Sequence, residues 1–218
     1  VKEKIEMPKK AKVGGLVYDI VYPYIFTENT MLVGLNELFA TRIKISEYYN
    51  NMRRPKARIY ETLVHELLHA IDNVYCNGVL SEAQITSLSS GWYSVIAEND
   101  LMLDKAGKMP KFVKVCGFQY KVEYPYTFTE EETWIASSSL HEQLLIRISN
   151  SDIDGIVHGH TYIKQNLVHQ LTAAISSIKQ VDTKDRNGDD IWNTMFMPMS
   201  CGIYQVIVDN KLDRLIRS

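Results

Sequence analysis

Residues 7–28 read MPKKAKVGGLVYDIVYPYIFTE, and residues 109–130 read MPKFVKVCGFQYKVEYPYTFTE. Thirteen of these 22 positions are identical at a constant offset of 102. So specific a string does not arise twice by accident, and the chain reads as an internal duplication. The echo continues downstream. Ile43-Lys44-Ile45-Ser46 answers Ile146-Arg147-Ile148-Ser149, Leu63-Val64-His65-Glu66-Leu67 answers Leu167-Val168-His169-Gln170-Leu171, and GWYSVIAENDL from Gly91 answers GIYQVIVDNKL from Gly202. The offset grows to 111 by the last pair, which puts insertions in the second copy, mostly in the polar stretch 179–190. A unit of about a hundred residues is too long for a solenoid repeat. Two tandem related domains are expected, 1–104 and 109–218, paired as an intramolecular pseudo-dimer.

Each copy carries the same succession of local signals. Residues 11–26 are rich in Val, Ile, Tyr and Phe around Gly14-Gly15 and Pro23, which suggests short strands. Ile43 and Ile45 alternate with Arg42 and Lys44, the pattern of a half-exposed strand over Thr41–Ser46. Ile59, Leu63, Leu67, Ala70 and Val74 then recur every three or four residues, as on one face of a helix. Pro55 suits its first turn and Asn77-Gly78 its end. Ser81, with Gln84 three residues on, forms a capping box for a second helix bearing Ile85, Leu88, Trp92, Val95 and Ile96. The expected fold class is α+β, each copy a small antiparallel sheet followed by two helices.

Composition narrows the function. The 218 residues are 45% hydrophobic and 23% charged, as in an ordinary globular chain. Lys and Arg number 24 against 26 acids, a net charge of -2 that supplies no basic field for nucleic acid or anionic membrane. No apolar run approaches the ~18–20 residues that span a bilayer, and Val1-Lys2-Glu3-Lys4 opens no signal core. The cysteines Cys76, Cys116 and Cys201 are odd in number and lack CxxC spacing, which speaks against a disulfide scaffold. A soluble, cytoplasmic protein is expected.

The first long helix contains His65-Glu66-Leu67-Leu68-His69. Positions i and i+4 project within about 40° of each other and lie about 6 Å apart along the axis, so both imidazoles can hold one zinc ion. Glu66, beside them, can accept a proton from an activated water. The motif lies off the helix's core stripe. For a third ligand, Cys76 is about 10 Å along the axis from His69 and out of reach. Asp72 fits better as a carboxylate that orients an imidazole. Glu82 opens the next helix after a tight turn and can fold back to the ion, so the expected ligands are His65, His69 and Glu82, with Zn2+ as cofactor and Glu66 as the catalytic base.

These residues resemble the ImmA/IrrE family of short zincin-like metallopeptidases encoded by phages and mobile elements. Val33-Gly34-Leu35, Ile43-Lys44-Ile45, HELLHAID from His65 and Leu80-Ser81-Glu82 match that family's glycine-bearing segment, Ile-rich strand, HE-x-x-HA helix and acid-opened second helix. The resemblance covers roughly residues 11–101. It implies a minimal zincin-like fold, the ligand and base assignments just made, a protein or peptide substrate, and, for a phage-encoded protein, a place in the host cytoplasm. It also implies that an edge strand beside the helix, Arg42-Ile43-Lys44-Ile45-Ser46, pairs with extended substrate. Arg42 and Lys44 there hint at acidic segments, or serve as gatekeepers on the edge.

The second copy departs from the motif. Opposite HELLHA it reads His169-Gln170-Leu171-Thr172-Ala173-Ala174, with the base replaced by Gln and the second ligand by Ala. Gln takes no proton at neutral pH and one imidazole holds no catalytic zinc, so this half reads as a pseudoenzyme domain. His158-Gly159-His160 reads as a loop and DTKDRNGDD from Asp182 as a solvated insertion without the closing Glu of a calcium loop. Tyr22/Tyr24 and Tyr124/Tyr126 are kept in both copies, which points to packing. An oxyanion-stabilising Tyr or His is expected, but no position stands out. Two functions are compatible with this pattern: a zinc-dependent peptidase, or a pseudo-dimeric binding protein that sequesters a partner around a structural or vestigial zinc site.

Overall fold

A computed structural model of the chain describes residues 5–129, 137–152, 154–184 and 192–218. The Asp182 stretch falls partly outside these, since residues 185–190 are not among them. Lys10–Val13 (β1) and Leu16–Val21 (β2) form a hairpin over Gly14, whose φ of +59° favours glycine. Alternation puts Ala11, Val13, Tyr18 and Ile20 in the core and the intervening lysines and Asp19 in solvent. Gly34–Glu37 (β3) and Arg42–Ile45 (β4) complete a four-stranded sheet of order β1-β2-β4-β3. A two-stranded ribbon follows, Tyr48–Tyr49 (β5) with Met52–Arg53 (β6). Lys56–Tyr75 (α1) and Glu82–Glu98 (α2) pack on one another and α1 lies across the sheet.

Two expectations are corrected here. The sheet is mixed, because β2 and β4 run parallel while β1–β2 and β3–β4 are antiparallel. And Arg42–Ser46 is not an edge: β4 lies between β2 and β3, so its backbone is paired on both sides. The alternation of Arg42-Ile43-Lys44-Ile45 reports one buried face, which central and edge strands share, and so carries no information on edge position. Arg42 and Lys44 are engaged as well. Both reach Glu37 across the strand pair, Lys44 Nζ at 2.6 Å and Arg42 at 3.7 Å, and Lys44 lies over the Tyr24 ring.

The second half is α+β in the same order. Phe112–Val115 (β7), Phe118–Glu123 (β8), Ser137–Leu140 (β9) and Leu145–Ile148 (β10) form a sheet of order β7-β8-β10-β9 with the same pairing senses. His160–Lys179 (α3), Trp192–Asn210 (α4) and a short Leu212–Arg217 (α5) follow. Tyr24 stacks edge-on against Phe26 under Lys44, and Tyr126 against Phe128 under Arg147, so the repeated tyrosines do pack locally. No helix among the described residues is long and apolar enough to cross a membrane.

The halves share one hydrophobic core. Their helices pack crosswise, α1 on α4 and α2 on α3, and two glycines permit the approach. A Cβ on Gly91 would lie 2.3 Å from Ile175 Cγ2, and one on Gly202 would lie 2.6 Å from Ile71 Cγ2. Asn99, at the end of α2, bonds both backbone groups of Lys114 in β7. Asn210, at the end of α4, does the same to Lys12 in β1. Packing is therefore continuous across residues 104–109. Gly202→Val forces side chain into an interface already filled by the Ile71 and Tyr75 side chains, so a loss of about 1–3 kcal/mol in unfolding free energy is expected by urea denaturation. Gly107→Ala, with open space around its Cβ, is the control; its positive φ limits the cost to backbone strain.

Candidate metal centre and its cleft

The motif helix begins at Pro55, an N-cap with extended backbone, and runs without a break past His69. Its apolar stripe of Ile59, Leu63, Leu67 and Ala70 is fully buried, which fixes the rotation of α1 and turns His65 and His69 toward an open cleft. The link to α2 is short. Asn77 and Gly78 both adopt positive φ, and Ser81 and Gln84 form the expected reciprocal capping box. That box sets the first turn of α2 and so places Glu82.

Glu82 folds back onto the two imidazoles. Its Oε1 lies 3.1 Å from His65 Nε2, its Oε2 lies 3.1 Å from His69 Nε2, and the two Nε2 atoms are 3.2 Å apart. These atoms form the group of three able to hold a metal ion among the described residues. The spacing tests the fit directly: four-coordinate zinc with bonds of ~2.05 Å separates its ligand atoms by about 3.3 Å. As a simple ion pair the arrangement would contribute little, since the Glu82 side chain is 69% exposed. Two imidazoles and one carboxylate form the donor set of a zinc or related divalent site, with its solvent side left open.

The neutral ring of His65 is supported from behind. Burial, opposed by the charge of Glu82, lowers its pKa and favours the neutral ring that a ligand requires. Its Nδ1 faces the Ser89 hydroxyl at 3.4 Å, and Ser89 itself donates to Thr86 O at 3.0 Å. Asp72, expected to orient an imidazole, is instead buried in the α1–α2 turn, where both carboxylate oxygens lie 3.3 Å from the Leu80 amide. The expectation failed because i+3 spacing on a helix does not decide whether a carboxylate turns toward the ring or toward the chain beyond its C-terminus. Asp72 thereby steadies the turn that delivers Glu82. Cys76 is buried away from the centre, with its thiol pushed up to about 12 by burial.

Glu66 is only 5% exposed and makes the cleft floor beside the ligands. Burial first, and the charge of Glu82 second, push its carboxyl up to about 8, and the backbone amide of Asn36 opposes them. The Asn36 side chain also donates to the Glu66 backbone carbonyl at 2.8 Å. Glu66 is thus seated against β3, the true edge strand beside the helix. The seat depends on a missing side chain: a Cβ on Gly34 would lie 2.2 Å from Glu66 Oε1 and 2.6 Å from Thr62 Cγ2. Gly34→Ala is expected to displace the Glu66 carboxylate and leave the metal content unchanged, which metal analysis beside any measured turnover will show.

The cleft encloses about 690 Å³. One wall is the 31–36 segment with Leu38, the floor is α1 from Arg58 to His69, and Glu82, Thr86 and Ser89 of α2 close the far side. Among the described residues no tyrosine lines it and the lining histidines are His65 and His69 themselves, so the expected oxyanion group is not found there. Sequence reasoning missed Ser89, the Gly34 seat and Arg54, which reaches the cleft from the β6–α1 link. A signal for Ser89 existed: in the second half Ser200 Oγ stands 3.5 Å from His169 Nδ1, the same pairing. There Gln170 donates to Ser137 Oγ at 2.8 Å, with Ser137 standing in β9 where Gly34 stands in β3, and Ala173 replaces the second histidine. His158 stacks on Tyr162 and joins no ligand cluster among the described residues. No family model, curated protein or solved structure matches this chain.

Proposed function

We propose that the chain is a zinc-dependent peptidase of zincin-like architecture, built as a tandem pair whose second member has lost its chemistry. The observation that carries this reading is the convergence of His65, His69 and Glu82 at ligand spacing, with the buried carboxyl of Glu66 alongside, in an open cleft bounded by a free strand edge. A bound zinc ion supplies Lewis acidity and lowers the pKa of water toward neutrality. Glu66 in its ionised form, whose share rises with pH through about 8, takes the proton from the attacking water and passes it to the leaving amine. Ser89 holds the His65 ring, and Asn36 and Gly34 hold Glu66 in place. β3 pairs with β4 through Val33, Leu35 and Glu37, so the backbone groups of Gly34 and the carbonyl of Asn36 face outward, suited to an extended peptide, while the Asn36 amide is engaged by Glu66.

The test is digestion of a mixed library of unstructured peptides by zinc-loaded protein, with a chelated sample as control, read by mass spectrometry. New termini that appear only with metal are expected. A library that stays intact with metal bound sinks the peptidase reading and favours a protein that acts by binding.

A further inference from the structure

We infer that Arg54 and Arg58 form a subsite in the cleft for a carboxylate of the substrate, two or three residues from the cleaved bond. This rests on the peptidase reading and names its substrate class. Arg54 is half-buried, and its guanidinium donates to Ser46 O at 2.9 Å, to Arg58 O at 2.7 Å and to Thr62 Oγ1 at 2.5 Å. These are neutral oxygens. No carboxylate lies within ion-pair distance of Arg54 among the described residues, and the one acid nearby, Glu61, is taken by Arg58 at 2.7 Å. Two cations therefore share one anion at the end of the cleft, and at least two of the five Arg54 N–H donors remain for a ligand. A partly desolvated guanidinium without a counter-ion is costly unless a ligand supplies one.

A second observation is independent of this one. The equivalent helix in the second half, α3, keeps the buried stripe: Ile59, Leu63, Leu67, Ala70 and Ile71 correspond to Ile163, Leu167, Leu171, Ala174 and Ile175. It has lost the base and one ligand, and with them both arginines. His158 and Tyr162 stand where Arg54 and Arg58 stand, stacked on each other. The arginines thus go with the chemistry and not with the packing, although Arg54 also ties the β4 end to α1.

Geometry sets the register. Thr62, which holds the Arg54 head, lies three residues before His65, and Arg58 lies seven before it, so the cations stand about 5–10 Å from the ligands along the helix. An extended peptide advances ~3.3 Å per residue, which places the recognised carboxylate two or three residues from the bond that is cut. The carboxylate can belong to an Asp or Glu side chain or to the substrate's own C-terminus.

The test uses the full-length, zinc-loaded Glu66→Gln chain as a non-cutting trap, offered two peptide libraries, one with free and one with amidated C-termini. Bound peptides are sequenced by mass spectrometry. Enrichment of Asp and Glu from both libraries assigns the subsite to a side chain, and enrichment restricted to free C-termini assigns it to the terminus. Either supports the inference if Arg58→Gln, added to the trap, lowers the enrichment about ten- to hundredfold, as for a charge-assisted bond. Arg54→Lys, with zinc content and thermal midpoint checked, serves where Arg54→Gln fails to fold. Retained peptides without acid enrichment, enrichment indifferent to both arginines, or no retention at all overturns the subsite. Absence of cleavage by the wild-type chain beside acid-dependent retention would instead remove the peptidase reading and keep the subsite.

Discussion

Glu66→Gln is expected to abolish turnover while leaving one metal ion per chain. Gln has the shape of the carboxylate, so the space opposite Gly34 stays filled and the fold is preserved. It cannot accept a proton at neutral pH, and the lost general-base contribution amounts to about 10²–10⁴-fold in rate. The metal stays because Glu66 is not among the three ligand residues. The neutral side chain also suits its surroundings, since burial already disfavours the charged form of Glu66. Turnover that survives the change would remove Glu66 from the chemistry. Where the natural effect of the protein on a partner survives instead, binding and not cleavage is the activity. Metal analysis on the same preparation separates a lost base from a lost site.

Removal of a ligand should have the opposite signature. Wild-type protein is expected to carry one zinc per chain by elemental analysis, and His69→Ala to carry none. Three ligands act together, and two leave the ion with half its coordination shell. His169→Ala is expected to change nothing in metal content, because Ala173 leaves His169 without the second imidazole that His65 has in His69. Chelation should lower the thermal midpoint without unfolding the chain. The core closes over Leu63, Leu67 and Ile71 and makes no use of the ion. Metal at a thousand times its dissociation constant adds about 4 kcal/mol to the folded state, and its withdrawal returns that amount. Two ions per chain would restore chemistry to the second half, and none would leave the three side chains as an exposed ion pair.

Most of this centre could be read locally. His65, Glu66 and His69 lie within five residues on one helix, and Glu82 follows by way of a turn and a capping box whose residues are all within seven positions of Asn77. Helix period, turn chemistry and capping act over such distances, so sequence alone determined the three side chains that could hold a metal ion, the place of Glu66 beside them and the α+β succession of each half. It determined also, by comparison of one half with the other, that the second has no counterpart to Glu66 or to His69.

Strand order was decided elsewhere. Alternation in Arg42–Ile45 states that one face is buried, and β2 and β3 could have claimed either flank of β4 with the same pattern. Only the packed sheet put β4 inside and left β3, a segment with little alternation, as the edge that seats Glu66. The same holds for the crosswise packing of α1 on α4 and α2 on α3, for Ser89 behind His65, and for Asp72 turning to Leu80. These contacts join residues remote in the chain through shape and burial. No period or spacing encodes them, because their energy exists only once the elements have met.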